Sequence, residues 1–69
     1  MLKPGDRVDV YKNAWINNMW RIEKDFEGIF ISFGVDTVEH YGSFSTAIIE
    51  KNDGFLINVG ISFVRVKLN

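Results

Sequence analysis

The residue types able to do acid–base or metal chemistry gather in one stretch. His40 is the single histidine, and Asp36 and Glu39 stand beside it. An imidazole with two carboxylates can ligate a metal or exchange a proton. Such a trio within a short polar loop is also common by chance, and a solvated loop is the simpler expectation. Ser43, Ser45 and Thr46 follow, but no elbow motif or partner base marks one of them as a nucleophile. The chain has no cysteine, so it offers no thiolate for catalysis or metal binding. Its six glycines are scattered and form no phosphate-cradling loop. The expectation is a non-enzymatic chain with no catalytic, metal or cofactor site.

Residue types suited to binding are more abundant. Aromatics make up 14% of the chain, and Tyr11, Trp15, Trp20, Phe30, Tyr41 and Phe44 fall at or near expected strand ends and loops. Glu23, Asp25 and Glu27 alternate on one strand face, as an acidic stripe or an ordinary polar face interrupted by Arg21. Arg7, Arg65 and Lys67 sit on outward faces of the first and last strands. Mixed with aromatics, they would make a modest nucleic-acid surface. The net charge of −1 speaks against it, because phosphate neutralisation supplies much of the affinity of nucleic-acid binders.

Length bounds the rest. Sixty-nine residues make one small domain, 1–69, that buries only about 60% of its unfolded surface. Without disulfides, such a chain relies on a dense core or on association. No apolar run approaches the ~18 residues of a membrane helix, and no signal peptide is visible, so the cytoplasm is the default expectation.

The elements that position these residues read as short strands. Lys3-Pro4-Gly5-Asp6 is a turn signal, and Gly5 to Lys12 alternates, with Val8 and Val10 on one face and Arg7, Asp9 and Tyr11 on the other. Asn13 to Asn18 reads as a loop carrying Trp15 and Ile16. In Met19 to Phe26, period-2 counting puts Trp20, Ile22 and Phe26 on an inner face, with Lys24 as the odd member. Glu27-Gly28 is either a hairpin turn or a kink in one long bent strand, and Ile29 to Val35 is strand-like in both cases. Asp36 to Ser43 is the longest polar connection. Phe44 to Lys51 and Phe55 to Val59 form a hairpin around Asn52-Asp53-Gly54. A three-residue loop is chosen there because it pairs Ile49 with Ile57 and Ala47 with Val59 and so makes an apolar face. Gly54 then takes the left-handed position of a bulged turn. Ile48 and Leu56 face the other way. Gly60 to Phe63 reads as one tight turn, of a length that a 3₁₀ turn can fill, before a last strand from Val64 to Leu68. No window sustains a helical period.

Five to six short antiparallel strands predict an all-β small barrel, because closure removes exposed edges. Lys3 to Val8, the Ala14-Trp15 loop, the Asn-Asp-Gly hairpin, the turn Gly60 to Phe63 and Val64-Arg65-Val66 together resemble the layout of SH3-like barrels over most of the chain. In peptide-binding SH3-like and Tudor-like barrels, aromatics between such loops form a groove or cage for proline or methylammonium groups. The start, Gly5 to Val8 with Ala14-Trp15, also resembles the plasmid-type dihydrofolate reductases, SH3-like tetramers around a central pore. Their functional strand carries Val-Gln-Ile-Tyr after the hairpin turn, where this chain has Leu56-Ile57-Asn58-Val59. The cofactor- and substrate-holding Gln and Tyr fall on Ile57 and Val59, so the resemblance implies the fold and argues against the activity.

Contiguous apolar residues on an outer face mark an interface. The chain is therefore expected to bind a protein partner, itself as a homo-oligomer, or both, through Trp15, Phe30, Ile48, Leu56, Tyr11 and Tyr41. Trp20 is expected in the core. The small cysteine-free chain is compatible with a phage or mobile-element accessory factor acting on a host protein. The alternative is a nucleic-acid-binding barrel using Arg7, Arg65 and Lys67, and a plasmid-type reductase stands third.

Overall fold

The computed structural model describes residues 2–40 and 42–68. Five antiparallel strands form one sheet: β1 (Arg7–Ile16), β2 (Met19–Val38), β3 (Gly42–Lys51), β4 (Leu56–Gly60) and β5 (Val64–Val66). Their order is β4-β3-β2-β1-β5. A 3₁₀ turn, Ile61–Phe63, precedes β5. The chain is all-β, and the bent sheet is compatible with a small barrel. No helix among the described residues is long and apolar enough to cross a membrane.

β2 organises the sheet. At 20 residues a straight strand would run about 66 Å, yet the longest extent of the molecule is 36 Å. The strand therefore bends sharply. Its first half pairs with β1 and its second half with β3, and Gly28 pairs with both, opposite Val8 and Lys51. The hairpin alternative at Glu27-Gly28 does not occur; the kinked strand does. A Cβ on Gly28 would lie 2.5 Å from Ile49 Cγ2 and 2.7 Å from the Glu50 carbonyl oxygen. Only a residue without a side chain lets β3 approach β2 this closely.

Two bulges flank that glycine. The register jumps from Val10↔Phe26 to Tyr11↔Lys24, which leaves Asp25 as the extra residue. It jumps again from Phe30↔Ile49 to Ser32↔Ile48, which leaves Ile31 extra. A bulge inverts the in–out alternation beyond it. Phe26, Gly28 and Phe30 therefore share the face of Val8 and Val10. Trp20 and Ile22 fall on the opposite face, and Phe33 and Val35 return to the core side with Ala47. This corrects the inner face expected for Trp20, Ile22 and Phe26 together. It also corrects Phe30, expected outside but 0% exposed.

The core comprises Val8, Val10, Phe30, Ala47, Ile49 and Val64, with Leu2, Phe26 and Val59 packed against it. Phe30 meets Phe33 edge to face at 4.9 Å. Val8, Val10, Ala47 and Ile49 are the inward residues expected from alternation. Ile57, expected inside, is 37% exposed, because it lies on the end strand of the sheet.

The turns follow residue chemistry. Asn17 and Asn18 have φ of 52° and 63° between the paired Ile16 and Met19. Two consecutive positive φ angles define the type I′ turn that suits a two-residue hairpin. The segment expected as an Asn13–Asn18 loop is thus mostly strand, and Trp15 lies within β1. The β3–β4 hairpin has the expected register, Ile49↔Ile57 and Ala47↔Val59, and Gly54 has φ 87°.

Replacement of Gly28 by alanine should destabilise the protein by about 2–3 kcal/mol through overpacking against fixed backbone. Urea unfolding measures this, and an unchanged midpoint would contradict the close approach of β2 and β3.

Candidate functional site

β5 reaches only Val8 to Val10 of β1, and β4 reaches only Thr46 to Glu50 of β3. The outer halves of the β1–β2 and β2–β3 hairpins therefore continue as two-stranded ribbons beyond the core. A two-stranded ribbon in water has two open faces and little stability of its own.

The β1–β2 ribbon carries the largest exposed rings. Trp15 pairs across with Trp20, and their rings meet edge to face at 5.2 Å and 67°. Trp15 is 58%, Trp20 68% and Ile22 69% exposed. By register, Asn13 opposes Ile22 and Tyr11 opposes Lys24, so these side chains share one face with the indole pair. Cross-strand aromatic pairs stabilise a ribbon by about 0.5–1.5 kcal/mol beyond burial, so the pair orders the surface it presents. Ile16 and Met19 lie on the reverse face, Met19 exposed and Ile16 half-buried.

The other expected interface residues are dispersed. Leu56 is 61% exposed at the edge of the sheet. Ile48 is half-buried, its side chain folded over Gly34, which corrects its expected open display. Tyr11 is half-buried within β1 rather than at a strand end. Phe30 is in the core. Tyr41 lies outside the described residues. Trp20 and Ile22 are the surface residues that sequence reasoning misplaced. The visible signal was Lys24, a charge that does not belong on a core face and that marks the bulge next to it.

The basic residues do come together. β1 pairs with β5, and Lys67 N–H donates to the Arg7 carbonyl. Arg7 and Lys67 line a cleft of about 240 Å³ with Glu27 and Gly28. Their charge is offset locally. Glu27 Oε1 accepts from Lys67 Nζ and lies 3.3 Å from Lys24 Nζ, which is 3.2 Å from Asp9 Oδ1. The Arg65 guanidinium donates to the Ser62 and Val64 carbonyls. Lys67 first, then Lys24, hold the Glu27 carboxyl below its ordinary 4.5. The Lys24 ammonium is raised, chiefly by its hydrogen bond to Asp9.

His40 Nε2 is 3.6 Å from Glu39 Oε1 with both side chains open to solvent. Asp36 Oδ1 accepts from the Thr37 amide. No group of three His, Cys, Asp or Glu side chains among the described residues is placed to hold a metal ion. No family model, curated protein or solved structure matches the chain.

The edge-to-face indoles should couple electronically and give an exciton couplet in far-ultraviolet circular dichroism. Trp15→Ala or Trp20→Ala should each abolish it, and a couplet that survives either change would contradict the pairing. Glu27, with its depressed folded pKa, contributes stability that is complete above pH 4.5 and lost as pH falls below it. Glu27→Gln should therefore be less stable than the wild type at neutral pH, and the gap should close on acidification. A gap independent of pH would remove the ion-pair account.

Proposed function

We propose that the chain is a small non-enzymatic binding module that takes a protein partner on the Trp15–Trp20–Ile22 face of its β1–β2 ribbon. The observation that carries this reading is the exposed, mutually packed indole pair. Tryptophan is enriched at the energetic centres of protein interfaces, and a pre-ordered pair loses little entropy on binding. Strand order β5-β1-β2-β3-β4 with a 3₁₀ turn before the last strand supports an SH3-like barrel as the scaffold.

A second reading has its own observation: β1–β5 pairing gathers Arg7, Arg65 and Lys67 on neighbouring strands. It is a nucleic-acid surface, weakened by Glu27 and Asp9 within it. The reductase reading rests on layout alone, and NADPH titration tests it.

Affinity capture from the native cell extract should retain a protein that Trp15→Ala and Trp20→Ala both lose, while Lys67→Ala keeps it. Capture unaffected by either tryptophan change would reject the ribbon as the site. Capture of nucleic acid that weakens steeply with salt and with Lys67→Ala would favour the second reading.

A further inference from the structure

We propose that β4 is a self-pairing edge: two copies of the chain join β4 to β4, antiparallel about a two-fold axis through Asn58. This extends the binding-module reading by naming a second copy as the partner of one edge, separate from the indole ribbon.

β4 ends the sheet order. Its phase is set by the turn. The Lys51 amide donates to the Phe55 carbonyl at 2.9 Å, so Phe55 turns its carbonyl toward β3. Alternation along an antiparallel ladder then directs the backbone groups of Ile57 and Val59 at β3. Those of Leu56, Asn58 and Gly60 point away from the sheet. Outside the strand ladders, no backbone hydrogen bond from these three occurs among the described residues. Leu56, Ile57 and Asn58 are exposed, so nothing described covers the edge.

Such edges are usually protected by a proline or by charge, above all lysine. Phe55-Leu56-Ile57-Asn58-Val59-Gly60 has neither. The other end of the sheet does: β5 carries Arg65 with Lys67 just beyond it, and the open outer half of β1 carries Lys12. Of the two end strands of the sheet, β4 is the one that can meet its own copy without bringing like charges together.

The occupant follows from the register. In a two-fold pairing centred on Asn58, Asn58 opposes Asn58, Leu56 opposes Gly60 and Ile57 opposes Val59. Every outward donor and acceptor of Leu56, Asn58 and Gly60 then finds a partner in the other copy. On the outer face the bulky Leu56 meets a glycine, and two Asn58 amides lie side by side. On the inner face the half-exposed Ile57 meets the β-branched Val59, a favourable cross-strand pair. An interface of this kind is isologous and closes at two copies. Shifting the centre to Ile57 still pairs the outward groups of Leu56 and Asn58, but it sets Gly60 against Gly54 of the turn, so the outward groups of Gly60 lose their strand partner.

The chain has no cysteine, which makes the test direct. Wild-type protein should sediment as a dimer at tens of micromolar. Asn58→Pro removes an outward donor that the monomer's own ladder does not use, so it should be monomeric with an unchanged circular dichroism spectrum. Asn58→Cys should cross-link to itself under mild oxidation. Hydrogen-bonded cross-strand Cα atoms lie about 5.5 Å apart, within the span of a disulfide, about 4.4–6.8 Å. A monomeric wild type would overturn the proposal. A dimer that persists in Asn58→Pro, or one lost in Trp15→Ala with Asn58 intact, would overturn it as well. The readout needs no foreign partner, so its failure leaves capture by the indole ribbon standing, and the reverse holds equally.

Discussion

The structure depends on the absence of one side chain. At Gly28 the long strand β2 pairs with β1 on one side and β3 on the other, and Ile49 and the Glu50 carbonyl occupy the space a Cβ would need. That contact lets one strand serve two half-sheets. Phe30 follows two residues later on the same face and fills the space between Val8, Val10 and Ile49. The flanking bulges at Asp25 and Ile31 are the means by which the strand turns. Each adds a residue without a partner, and each exchanges which side chains face in.

Function follows from this inversion. Were β2 regular from Met19 to Phe26, Trp20 and Ile22 would join Phe26 in the core. With Asp25 inserted they stand outside, where Trp20 meets Trp15 across the ribbon. The same residues thus change from core filler to displayed surface through one irregularity in the backbone. The charged groups near the bend, Lys24, Glu27, Lys67 and Asp9, pair with one another. The polar side of the sheet is therefore locally neutral, and the apolar ribbon is its more distinctive surface.

Much of the fold was legible in the residues. The Asn52-Asp53-Gly54 turn, its register and the left-handed Gly54 follow from turn chemistry and an apolar face. So do the inward Val8 and Val10 and the short turn before β5. What period-2 counting could not supply was the position of the bulges: Lys24 on the expected core face hinted at the one at Asp25, and no residue signalled the one at Ile31. Phe30 and Trp20 exchanged places for that reason alone. The Asn17-Asn18 turn was readable in principle, since asparagine tolerates positive φ; Asn13 at the other end extended the expected loop over Ala14, Trp15 and Ile16, though tryptophan and isoleucine favour strands. The site was legible as residue types but not as a cluster: Trp15 was singled out, while its partner was assigned to the core.

The most direct measurement of the central claim, that both indoles are displayed, is the quenching of tryptophan fluorescence by acrylamide in the isolated protein. The account predicts red-shifted emission with both Trp15 and Trp20 readily quenched, each reported separately by Trp20→Phe and Trp15→Phe. Blue-shifted emission from Trp20 with little quenching would place that ring in the core, and the bulge at Asp25 with the surface built on it would be contradicted.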